Sequence, residues 1–257
     1  MKNNKTLFKN STRGMSTTGV ILIVLIIAVG AVLLLGSGDD ANDDSTNDAM
    51  EATANYEVTI ENLTESQPFS PGVIATHDES VSVWETGASA SEGIRLIAEN
   101  GMPQTAVANL AAVVGSSSVV ATEGPIHRIG GPDPQSRTVT VSANEGADRL
   151  SVAVMLICTN DGFTGVSSLE LPTDDQPVVA EVDAYDAGTE ENDELFSSLV
   201  PPCGAAGPVE NDSTENNRTA TDGSIGEHAG ITGDADLSAD EHGFDDPVAR
   251  ITVERVQ

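Results

Sequence analysis

The chain of 257 residues carries 11 Lys or Arg against 41 Asp or Glu, a formal charge of −30. A surface of that sign repels nucleic-acid phosphates and anionic lipid headgroups, so nucleic-acid binding is set aside as a function class. The charge is also uneven: Lys2, Lys5, Lys9 and Arg13 precede any acid, whereas everything beyond Gly36 holds seven Arg, no Lys and all 41 acids.

The four early cations mark a basic N-terminus, residues 1–18. Residues 19–36 follow as an apolar stretch, VILIVLIIAVGAVLLL between Gly19 and Gly36. At 18 residues it is close to the roughly 20 that span a bilayer. The excess of cations before it places the N-terminus in the cytoplasm and the rest of the chain outside, as a single-pass cell-membrane protein. Two alternatives stand beside this uncleaved anchor. One is a secretory signal cut near Gly36-Ser37-Gly38. The other is an archaeal pilin-type leader in RGMSTTGVILIVLI, cut after Gly14 with the apolar helix retained. No cysteine lies nearby, which excludes a lipoprotein anchor. Residues 37–54 are rich in Asp, Asn, Ser and Ala and read as a solvated stalk.

From Tyr56 the pattern has period two. YEVTIENLT alternates Tyr56, Val58 and Ile60 with Glu57, Thr59 and Glu61. GVIATH, SVSVWE, RTVTVSA, RLSVAVMLICT, PVVAEVDAY and ARITVERV follow as short runs between Gly, Pro and Asp, and each predicts a strand. Leu150 to Cys158 is apolar at nearly every step, as in a strand covered on both faces. One region breaks the period. SASEGIRLIAENG predicts a helix with Ser89 and Glu92 as its capping box, and PQTAVANLAAVVG a second. The expected architecture is all-β, an antiparallel sandwich with a short helical insertion, over residues 55–257. Gly204 to Ser224 is polar and aperiodic and reads as an acidic surface loop. The loss of Lys and the crowd of acids fit adaptation to very high salt, where ions screen self-repulsion within a few ångströms. In such a chain a pair of acids is weak evidence for a site.

Cys158 and Cys203 are the only cysteines. Outside the cell a disulfide between them closes a loop of about 45 residues and is worth roughly 3–4 kcal/mol by chain entropy. The alternative is a buried thiol at Cys158 and an exposed one at Cys203. His228 and His242 are 14 residues apart and lack metal-binding spacing on a helix. His77-Asp78 lies among serines, but no Gly-x-Ser-x-Gly elbow is present, and no residue is assigned a catalytic role. Trp84, the only tryptophan, reads as core. Asn62, Asn211 and Asn217 fit the glycosylation acceptor pattern.

Five stretches in order, VTIENLTESQPFSPGVIATHD, ASEGIRLIAENG, LICTNDGFTGVSSLELP, YDAGTEEND and HGFDDPVARITVERV, resemble the spondin N-terminal domain over residues 55–257. The resemblance implies a sandwich similar to the calcium- and lipid-binding domains of protein kinase C type, with a calcium ion held by loop acids at one end. Family ligands carried onto this chain are Asp161, after the Cys-bearing strand, and Asp186 and Glu190 of the Asp-Ala-Gly-Thr-x motif. Glu190 departs from the Asp of animal members. Calcium takes six to eight oxygens, which flexible carboxylate loops supply. The structural alternative is that Asp161 caps its own Asn-Asp-Gly turn and Asp186 an Asx-turn. Animal members act in matrix attachment, so the implied partner is a cell-surface or extracellular protein or glycan. The thrombospondin repeats that follow in those proteins are missing here, and their specific partners are not carried over. Two function classes remain beside this adhesion or recognition module: a structural envelope or pilus-associated subunit, and an envelope hydrolase.

Overall fold

The computed structural model describes residues 53–113, 115–207 and 217–256. The expectations for the basic N-terminus, the apolar segment 19–36, nearly all of the stalk, and Asn211 lie outside those residues. Among the described residues no helix is long and apolar enough to cross a membrane.

The elements in chain order are β1 (Ala54–Asn62), β2 (Val73–His77), α1 (Glu92–Asn100), α2 (Gln104–Ala111), β3 (Ser116–Ala121), β4 (Ser136–Ala143), β5 (Arg149–Met155), β6 (Gly162–Thr164), β7 (Leu169–Glu170), β8 (Val178–Val182), β9 (Ala184–Asp186), α3 (Pro202–Ala206), β10 (Gly226–Glu227), α4 (Ala239–His242) and β11 (Ala249–Val256). The fold is mostly β. One sheet has the order β4-β1-β11-β8. The other has the order β10-β9-β6-β5-β2-β3, with β7 also on β5. Every pairing between named strands is antiparallel.

Alternation explains the first sheet. Tyr56, Val58 and Ile60 of β1 and Ile251 and Val253 of β11 point into one core with Leu150, Val152 and Val154 of β5, while Glu57, Glu61 and Glu254 stay outside. Full burial of each large aliphatic side chain contributes roughly 1.5–3 kcal/mol. The second sheet is covered on both faces. Ala153 and Met155 of β5 pack on the far side against Ile94, Ile97, Trp84, Leu199 and Cys203. The continuous apolar run from Leu150 therefore has the cause expected for it.

Several local readings are corrected. SVSVWE forms no strand. It crosses the outer face of the second sheet, burying Val81, Val83 and Trp84, and the Trp84 indole N–H donates to the Val152 carbonyl at 3.3 Å. PVVAEVDAY is two strands. It breaks at Asp183, with β8 in one sheet and β9 in the other. The cap of α1 is Ser91, whose hydroxyl accepts from the Ile94 amide at 3.3 Å, and not Ser89. SSSVVA, unremarked in the sequence, is β3 on the edge beside β2. The cysteines are joined as a disulfide, which ties α3 to the end of the β5 segment. Asn62 is buried, and its side-chain amide donates to the Gln67 carbonyl at 2.7 Å. It therefore has no room for a glycan in the folded domain, and that candidate is withdrawn.

Candidate functional site

The strands that carry Asp161 and Asp186 are neighbours. β6 pairs with β9 in a register that sets Gly162 opposite Asp186 and Phe163 opposite Tyr185. The Ala187 amide extends the ladder by donating to the Asp161 carbonyl at 3.1 Å. Hydrogen bonding between strands thus brings the two acids to the same end of the sheet.

Asp161 is fully buried. Its Oδ2 accepts from the Thr189 amide at 2.6 Å, the Thr189 hydroxyl at 3.0 Å and the Glu190 amide at 3.0 Å. Its Oδ1 is buried and has no hydrogen-bond partner among the described residues. The carboxylate therefore braces the Asp-Ala-Gly-Thr turn and does not cap its own. Thr159 does that, its Oγ1 accepting from the Gly162 amide at 2.9 Å. Asp186 does form an Asx-turn: its Oδ1 accepts from the Gly188 amide at 2.6 Å. Its Oδ2 accepts from the Asn192 side-chain amide at 2.5 Å. Gly188 makes this turn possible, with φ of 70° and room for no Cβ, which would stand 2.7 Å from the Ser224 nitrogen. Burial pushes the Asp161 carboxyl above its ordinary range, and the Asp186 charge pushes the same way. The bonds from Thr189 and Glu190 oppose both without cancelling them.

Glu190 lies on the same turn but faces a different partner. It is buried, and its Oε1 stands 3.2 Å from Arg218 Nε, while its Oε2 has no hydrogen-bond partner. Burial raises its pKa to about 8, and the charges of Glu99 and Asp161 add to this against the pull of Arg218. Arg218 also donates to Asn100 Oδ1 at 2.9 Å and to the Ser198 carbonyl at 3.2 Å. It belongs to the stretch read from sequence as acidic loop, and it is the only Lys or Arg between Arg149 and Arg250. That isolation among acids was the signal available for it. The neighbouring strand of loop is tied to the turn through the amides of Glu191 and Thr221.

Two further groups complete this end. Glu194, at φ 55°, is buried and accepts four hydrogen bonds from Thr232, Gly233 and Asp234. No pattern in the sequence distinguished it from its acidic neighbours. His228 Nδ1 accepts from the Gly230 amide at 3.0 Å, which puts the ring proton on Nε2. That nitrogen is buried without a partner, and burial lowers the ring's pKa. In this tautomer Nε2 is a donor, not a metal ligand. His77 Nε2 lies 2.8 Å from Ser151 Oγ, but both residues are fully buried between β2 and β5, where the pair serves as a cross-strand bond out of reach of any substrate.

The acids at this end offer only oxygen, the chemistry of a hard cation such as calcium. Among the described residues no group of three or more His, Cys, Asp or Glu is arranged to hold a metal ion. Asp161 and Asp186 interact through their charges, while Glu190 is engaged by Arg218. The feature that fits a cation is the buried, unpartnered Oδ1 of Asp161 beside a second carboxylate.

Comparison with known proteins adds one finding. The sequence model of the Spondin_N family matches residues 59–216, more than half of the chain, a span that includes both cysteines, Asp161, Asp186, Glu190 and Glu194. A search of curated proteins returned no match.

Proposed function

The chain belongs to the spondin N-terminal domain family, and from that we propose that it is a recognition or adhesion module of the cell surface, stabilised by a calcium ion at its Asp161–Asp186 end. The observation that carries this reading is Asp161. A fully buried carboxylate with one oxygen saturated and the other without a partner, next to a second acid, is destabilised as an anion unless a cation completes it. Asp161 and Asp186 would hold the ion, with backbone carbonyls and water supplying the remaining oxygens. Glu190 joins them only if it leaves Arg218. The ion neutralises charge and supplies no reaction, so its effect is to hold the turn on β9 against the end of β6. The apolar segment 19–36 anchors the module in the cell membrane with its domain outside, and the ligand is an extracellular protein or glycan.

Thermal melting of the purified protein at constant molar salt tests the cation. Chelation should lower the transition and calcium should restore it, and Asp161→Ala and Asp186→Ala should each remove the response. A transition that does not move between chelator and calcium would rule the ion out.

A further inference from the structure

We propose that the groove beside the open edge of β8 receives an extended polypeptide segment bearing lysine or arginine, bound as an added strand. β8 closes the four-stranded sheet. β11 occupies one of its edges, and among the described residues no strand pairs with the other. The N–H and C=O groups of such an edge are a template for another chain. A groove of about 1030 Å³ lies beside it. Val178 and Val182, at the two ends of β8 and on its core-facing side, line the groove, and no residue of β11 does. Trp84, Leu171 and Tyr185 supply apolar and aromatic lining.

The charge of the groove selects the occupant. Glu85, Glu170 and Asp174 line it, and among the described residues no Lys, Arg or His does. Arg149 answers Glu170 at 3.1 Å, while Glu85 and Asp174 make no ion pair among the described residues. The field extends to the aromatic end: burial and then the carboxylates of Asp183, Asp246 and Glu227 hold the Tyr185 hydroxyl above its ordinary pKa. A second copy of this chain has few cations to offer the groove, since everything beyond Gly36 holds seven Arg and no Lys against 41 acids. An extended segment instead presents alternate side chains to the groove, and cationic ones there meet carboxylates and aromatic rings. This proposal rests on the reading of the chain as a recognition module and names the chemistry of its partner. It does not depend on the calcium ion.

Trp84 is the only tryptophan, so its fluorescence reports on the groove. The full chain is titrated, once with calcium and once with chelator, with an octapeptide of alternating lysine and threonine. Trp84 emission should change saturably, and amide hydrogens of β8 should exchange more slowly. The Glu85→Gln, Asp174→Asn double variant, altered only at exposed positions, should bind at least tenfold more weakly. A glutamate-threonine peptide, and a lysine peptide with proline at alternate positions that prevent strand pairing, should leave emission unchanged. Equal binding by the proline peptide, undiminished binding by the double variant, or a response to a neutral oligosaccharide in place of the peptide overturns the proposal. A silent Trp84 in a protein whose melting still follows calcium defeats the groove alone. Silence in both measurements defeats the recognition reading with it.

Discussion

Asp161 and Glu194 are both buried acids that accept amides from a distant loop, and they differ in how those donors are shared between the two oxygens. Glu194 is evenly served: Oε1 takes the amide and hydroxyl of Thr232 at 2.6 and 3.0 Å, and Oε2 takes the amides of Gly233 and Asp234 at 2.9 and 3.2 Å. Burial alone would raise its pKa, but the four donors outweigh it and hold the carboxyl below the usual range. At Asp161 all three donors meet one oxygen, the other has none, and Asp186 stands nearby, so burial wins. The same chemical group thus forms a complete latch in one place and an incomplete one in the other. Hydrogen-bond saturation, not burial or charge density, separates a fully satisfied structural carboxylate from one left with an oxygen that no donor meets.

The largest effect is expected from cutting the tether that both latches share. Cys158 lies three residues ahead of Asp161 and Cys203 nine beyond Glu194, and the bridge spans 45 residues. The Cys158→Ser, Cys203→Ser double variant should lose about 4 kcal/mol by chemical denaturation. Next comes Glu194→Gln. Its side-chain NH₂ would face amide donors, and the loss should be about 3 kcal/mol at neutral pH. The sign of its pH dependence is set by the depressed folded-state pKa. The stability due to Glu194 is present above its ordinary value of 4.5 and is lost as pH falls through the lower folded value. Wild type and variant should therefore differ by a constant amount above about pH 5 and converge in acid. If they stay apart at low pH, the latch does not work through its charge.

Calcium sharpens the contrast from the other side. At a hundred times its dissociation constant it should stabilise the wild type by about 2.7 kcal/mol. Asp161→Asn should change stability in chelator by less than about 1 kcal/mol, since it removes repulsion as well as hydrogen bonds, and it should abolish the calcium gain. Glu194→Gln should keep that gain. A calcium gain that depends equally on both acids would erase the distinction between them. The smallest effect belongs to Arg250→Ala on the solvent face. It breaks exposed pairs with Glu61 and Glu181, both at 2.8 Å, and should leave the midpoint almost unmoved in the same denaturation assay, because water and salt screen exposed pairs.

Much of the fold was legible because its cause is local. Tyr56, Val58 and Ile60 alternate with polar neighbours, and β1 has one wet face. Leu150 to Met155 do not alternate, and β5 has none. The misreadings came where a strand-like pattern served another purpose. Val81 and Val83 alternate with Ser80 and Ser82, and with Trp84 they are buried because the segment covers a sheet from above, and covering a sheet places one side of a segment in the core just as joining it does. The break at Asp183 was hidden because valine and alanine suit either sheet equally. What ends β8 and starts β9 is the Asp246 carboxylate taking the Ala184 amide at 2.8 Å, from a residue far along the chain.

The site divides the same way. Motif order alone was enough to assign the family and to nominate Asp161, Asp186 and Glu190 as candidate ligands, and the count of two cysteines made their pairing the first thing to expect. Tertiary structure alone decided that Arg218 would claim Glu190, that Glu194 would be saturated, and that one oxygen of Asp161 would be left over. Periodicity and turn chemistry are set by residues a few positions apart and are written along the chain. Whether a carboxylate is satisfied depends on donors 28 to 40 positions away, and only the folded backbone brings those within 3.2 Å.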